Sequence, residues 1–115
     1  METQELTQKV CEVLSNRKAL DITIINVEEL TILTDNYVIC SARSSTAVKA
    51  LANYVDEELG NLGVEPLHKD GMREGSWAVL DYGCVIVHIF LDSVRETYDL
   101  EKIWNNGSNT TRYDK

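Results

Sequence analysis

Eight consecutive residues, Cys84-Val85-Ile86-Val87-His88-Ile89-Phe90-Leu91, are apolar but for one histidine. A run of that length and β-branched content reads as a strand, and a strand apolar at every position needs cover on both of its faces. The rest of the chain must therefore supply layers above and below a sheet. It has the means to do so, since 115 residues with 43% apolar side chains and one proline suffice for a single core without disulfide or metal staples.

The remaining periodicities fill in that architecture. Leu6, Val10, Val13 and Leu14 fall on one stripe and predict a helix over about residues 3–18, with Thr3 as its cap. Strands are expected at Asp21–Val27 and Tyr37–Ala42, joined by a short irregular link that suggests an antiparallel pair. Ser44, Ser45 and Thr46 offer cap oxygens to a helix whose Val48, Leu51, Val55, Leu59 and Leu62 recur at three- and four-residue steps. Beyond Gly63, Pro66 allows a short edge strand around Leu67, because proline has no amide hydrogen to donate to a sheet. Ser76–Tyr82 and Cys84–Leu91 form a hairpin closed at Gly83, and one last helix runs from Asp92 or Ser93 through Val94, Tyr98, Leu100, Ile103 and Trp104. The order predicts an α/β domain over residues 1–104, with a mixed β-sheet of four to five strands and flanking helices. Residues 105–115 are polar and are expected to form a mobile, disordered tail.

Charge narrows the partners. Residues 21–104 hold fifteen acids against six bases, while the whole chain carries −8. Binding to phosphate backbones or anionic lipid rests on clustered Lys and Arg, so direct nucleic-acid recognition and membrane binding are not expected; a basic partner is. The first twenty residues interleave acids and bases without an apolar run, which predicts a cytoplasmic protein. Cys11, Cys40 and Cys84, an odd set at irregular spacings, read as reduced core thiols.

No catalytic pattern emerges from the residues themselves. Asp21, Asp35 and Asp81 each flank a strand, but no two stand at alternate strand positions where both could reach one metal pair. Cys84 and His88 lie four residues apart along a strand, about 13 Å, too far for a nucleophile and its base. His68 and His88 lack two further ligands at useful spacing, so neither a metal nor another cofactor is expected. Recognition is the better lead: Trp77, Tyr82, Phe90, Tyr98 and Trp104 are interleaved with Asp81, Asp92, Glu96, Asp99 and Glu101. Aromatic anchors rimmed by charge of one sign suit a protein-binding face.

The hairpin also carries a resemblance. Gly75-Ser76-Trp77-Ala78-Val79-Leu80-Asp81-Tyr82-Gly83, Val85–Phe90, Arg95-Glu96-Thr97-Tyr98-Asp99-Leu100-Glu101 and Ile103-Trp104 closely resemble the ribosomal silencing factor family, RsfS or Iojap. Leu33-Thr34-Asp35, Tyr37–Cys40, the Ser44-Ser45 turn and His68-Lys69-Asp70-Gly71 follow in the family's order. The resemblance implies a nucleotidyltransferase-like fold in a protein that is not an enzyme. It also implies binding to the large ribosomal subunit through its basic fourteenth protein, uL14, which blocks joining with the small subunit and represses translation under nutrient limitation. On that footing Trp77, Asp81 and Tyr82 are expected on the partner-binding face with Tyr98 and Glu101 nearby, while Leu80, Phe90 and Leu100 pack the core. The same apolar face could pair two free copies as a homodimer. A nucleotidyltransferase-like nucleotide binder or enzyme is the alternative. The chain departs from the family pattern at Cys84, where many members have aspartate, at Asn36, where an aromatic is common, and at Ala42-Arg43 in place of a glycine-containing turn.

Overall fold

The computed structural model describes residues 1–113. Helix α1 (Thr3–Asn16) is followed by strands β1 (Leu20–Asn26) and β2 (Asn36–Ala42), helix α2 (Ser45–Asn61), and strands β3 (His68–Asp70), β4 (Trp77–Asp81) and β5 (Val85–Leu91). Two short helices, α3 (Asp92–Tyr98) and α4 (Leu100–Trp104), and a final strand β6 (Thr110–Arg112) complete the fold. The strands form one mixed sheet in the order β3-β4-β5-β2-β1-β6, parallel only between β2 and β5.

The apolar run sits where its composition requires. On β5, Val85, Val87 and Ile89 enter the cluster beneath α1 and α2, while His88 and Phe90 face the other side, where Val94, Leu100 and Trp104 of α3 and α4 pack over Phe90, Tyr37, Ile39 and Ile25. In α1 the Leu6, Val10, Val13 and Leu14 stripe is buried, and in α2 Val48, Leu51, Val55 and Leu59 are. Ser44 caps α2 by accepting the Ala47 N–H at 3.1 Å. Thr3 does not cap α1: it is the first helical residue, and its hydroxyl donates to Asp35 Oδ2 at 2.9 Å. Leu62, expected on the buried stripe of α2, is the exposed residue that ends the helix. Burial pushes the thiols of Cys11 and Cys40 up to about 12, so both are protonated core side chains at neutral pH. Among the described residues no helix is long and apolar enough to cross a membrane.

Two further expectations are corrected. The last helix is broken at Asp99, whose φ of +42° lies in the left-handed region that aspartate tolerates better than most residues. The break redirects the chain so that Leu100 and Trp104 turn back onto the sheet. The tail is not a mobile extension over its described part: Thr110–Arg112 adds a sixth strand antiparallel to β1, beyond the four to five expected. Hydrogen bonds hold it, not an apolar pattern. Asn109 Nδ2 donates to Asn26 O and Trp104 O, each at 2.9 Å, and the Asn26 N–H returns to Asn109 O. An edge strand recruited by polar side chains leaves no hydrophobic period to read. Asp114 and Lys115 lie outside the described residues.

The turn from β3 to β4 depends on Gly71. Its φ is +70°, and a Cβ there would stand 1.8 Å from the Trp77 carbonyl oxygen. Gly71→Ala is expected to destabilise the domain by about 3 kcal/mol through strain and backbone collision together. Urea denaturation reads this directly; a loss under about 1 kcal/mol would mean the turn yields cheaply.

Candidate functional site

Strand alternation puts Trp77, Val79 and Asp81 of β4 on one face of the sheet and Ala78 and Leu80 on the other. Register then lines up rows across the first face. His68, Asp81, Ile86 and Tyr37 form one row, Asp70, Val79, His88 and Ile39 the next, and Trp77, Phe90 and Ser41 the third. Helices α3 and α4 bury the β1–β2 side of these rows, where Ile25, Ile39 and Tyr37 are buried. The β3–β4 side is covered less, with Tyr98 of α3 reaching Trp77, and Trp77, Val79 and Asp81 stay half-buried while His68 and Asp70 are exposed.

Aromatic rings dominate this half-covered face. The Trp77 ring stacks on Phe90 at 4.8 Å between centroids and meets Tyr98 at 5.0 Å. Tyr37 packs edge-on to His88 at 5.2 Å and lies 5.4 Å from Trp104. At the rim Tyr98 of α3, a large side chain, is 57% exposed. A groove of about 440 Å³ runs along it, lined by Asp70, Glu74, Trp77, Val79, Val94 and Tyr98 among others. With Asp81 in the adjacent row, its polar edge is acidic.

One side chain here was not foreseen. Trp77 Nε1 donates to His88 Nδ1 at 3.0 Å. Burial pushes His88 down to about 4 from its ordinary 6.5, against the opposing pull of the Asp81 charge, so the ring is neutral at pH 7. Burial, and then Asp81, push the Tyr37 hydroxyl up. An almost apolar strand with a single histidine was the available signal, but sequence could not reveal that a tryptophan would meet it.

Of the five residues expected at the site, the structure brings Trp77, Asp81 and Tyr98 to this face. Tyr82 is not there: it is only 8% exposed and belongs to the cluster beneath α1 and α2, on the opposite side. The alternation that sends Leu80 to that side carries Tyr82 with it. Burial and the charges of Asp56 and Glu65 raise its hydroxyl, which has no partner among the described residues. Glu101 is spent internally, its two oxygens accepting from Arg95 Nε at 2.8 Å and from an Arg95 terminal nitrogen at 3.1 Å.

The three aspartates weighed for catalysis do not converge. Asp21 lies near the start of β1 and pairs with Arg112, Asp35 lies beyond the far end of β1 against Val27, and Asp81 is on β4. Among the described residues no group of three or more His, Cys, Asp or Glu is placed to hold a metal. A larger polar cleft of about 790 Å³ opens beside Arg95; of its three cations, Arg95 and Arg112 are paired with Glu101 and Asp21, and Arg43 lies exposed among Asp92, Glu96 and Asp99 of the same lining.

The family described as ribosomal silencing factor during starvation, RsfS, matches residues 1–115 of the chain. A ribosomal silencing factor RsfS from Chromobacterium violaceum is 36% identical over 104 residues, covering 90% of this chain and 85% of that protein. The mouse mitochondrial assembly of ribosomal large subunit protein 1 is 33% identical over 94 residues, which span 79% of this chain and 41% of that protein. A crystal structure of a protein from Chromobacterium violaceum superposes with a TM-score of 0.88 at 36% identity, covering 90% of this chain and 87% of that one.

Proposed function

Since the chain belongs to the ribosomal silencing factor family, we propose that it binds the large ribosomal subunit through uL14 and blocks joining with the small subunit by its bulk. In the cytoplasm this would repress translation when nutrients are scarce, with no bond made or broken. The observation that carries the reading is the half-sheet left largely uncovered over β3 and β4, beside the buried Phe90 and His88 of β5. Its centre is aromatic, its edge carries Asp70, Glu74 and Asp81, and the segment around it is strongly acidic. Aromatic anchors supply affinity, and a one-signed field steers a basic partner and raises the association rate. A body of 34 × 34 × 27 Å seated on a subunit face is large enough to keep an opposing surface from closing. Two free copies would pair through the same face, which makes a homodimer and the subunit complex mutually exclusive.

Purified protein should migrate with large subunits in a sucrose gradient at low salt, leave them at high salt, and lower the yield of joined ribosomes. Asp81→Lys replaces an attractive charge by a repulsive one and is expected to weaken binding about tenfold, chiefly in the association rate. Normal subunit joining at saturating wild-type protein would refute the proposal.

A further inference from the structure

We infer that His88 is a positioning residue for the proposed binding face: by accepting the Trp77 indole N–H it holds that ring in the orientation that meets the partner. The inference rests on reading this face as the large-subunit contact.

Stacking on Phe90 and contact with Tyr98 confine the Trp77 ring, but ring contacts leave it free to slide or turn within its plane. The 3.0 Å bond from Nε1 to His88 Nδ1 removes that freedom, because a hydrogen bond is directional where stacking is not. His88 is itself fixed, with Tyr37 edge-on at 5.2 Å and the Phe90 ring nearly parallel to it at 6.1 Å, 13° between ring planes. An Nδ1 that accepts places the imidazole proton on Nε2.

That second nitrogen argues against a purely structural role. His88 is only 8% exposed, and among the described residues nothing accepts from its Nε2. A buried donor without a partner destabilises a fold, and leucine or phenylalanine would fill the same space without stranding one. What histidine supplies, and those residues do not, is the Nδ1 acceptor for Trp77. An anchor already oriented loses less freedom on binding than one that must be ordered by its partner.

Asparagine and leucine at position 88 are nearly isosteric, and only asparagine places an oxygen where Nδ1 stands. Two readouts apply to His88→Asn and His88→Leu: the Trp77 indole N–H resonance with its hydrogen-exchange rate, and affinity for purified large subunits. His88→Leu is expected to leave the indole unprotected and to weaken binding about tenfold. His88→Asn should keep the indole protected and bind within about threefold of wild type. His88→Phe, which retains a ring and drops both nitrogens, should behave as His88→Leu does and keeps the comparison available if leucine packs poorly. Wild-type affinity in a folded His88→Leu or His88→Phe variant, or failure of folded His88→Asn to exceed them, overturns the inference. Absence of large-subunit binding by the wild type overturns the function instead, and the indole readout still reports whether His88 holds Trp77.

Discussion

Arg95→Leu is expected to destabilise the domain by about 3–5 kcal/mol, the range for removing one partner of a largely buried, hydrogen-bonded pair. Arg95 reaches from α3 to three other elements. It bonds Glu101 of α4 with two nitrogens, donates to Asp21 O at 2.9 Å and Ser41 Oγ at 3.3 Å, and donates to Thr23 Oγ1 at 3.2 Å. Its side chain is only 11% exposed. Leucine would strand the Glu101 carboxylate and untie α4 from β1 and β2 together. No residue of α3 or α4 is fully buried, so apolar packing of Val94, Leu100 and Trp104 holds them with little reserve. Urea denaturation should show a lowered midpoint, and amide exchange should rise first over residues 100–104. Arg95→Leu combined with Glu101→Leu should recover part of the loss, because the stranded charge is then gone. A single-variant loss under about 1 kcal/mol would mean that packing, not the guanidinium, holds the two helices.

Trp77→Ala is expected to weaken binding to the large subunit by about 2–4 kcal/mol, roughly 30- to 1,000-fold, as truncation of a central aromatic anchor does. Trp77 sits at the meeting of Phe90, Tyr98 and His88, and it borders the groove along the open half of the sheet. Truncation also removes packing within the protein, so the variant's thermal unfolding must be measured beside its binding; a folded variant with full affinity would remove Trp77 from the interface. Tyr82 supplies the control. It lies on the opposite side of the sheet, so Tyr82→Phe should bind as wild type. A loss for Tyr82→Phe matching that of Trp77→Ala would place the contact on the wrong face.

Tyr82 also shows how much of the candidate face is legible in the sequence. Alternation along Trp77-Ala78-Val79-Leu80-Asp81 extends by one residue to send Tyr82 away from Trp77, yet composition grouped the two because both are aromatic and adjacent to acids. Charge alone groups Glu101 with the site, whereas its partner is Arg95 six residues earlier, across the break at Asp99. Trp77 and Asp81 share a strand face and Tyr98 of α3 meets it at Trp77, so these three expected positions fall together in space.

The sequence by itself determined the elements and the layering: an apolar run that had to be an interior strand, two apolar helical stripes to cover one face, and a hairpin closed at Gly83. These follow from periodicities of two and 3.6 residues, set by neighbours along the chain. Tertiary structure alone decided the sixth strand, the broken last helix, the Trp77–His88 bond and the reach of Arg95 to a carbonyl 74 residues away. Polar groups choose partners by direction and proximity in space, and they leave no period in the sequence from which the pairing could be read.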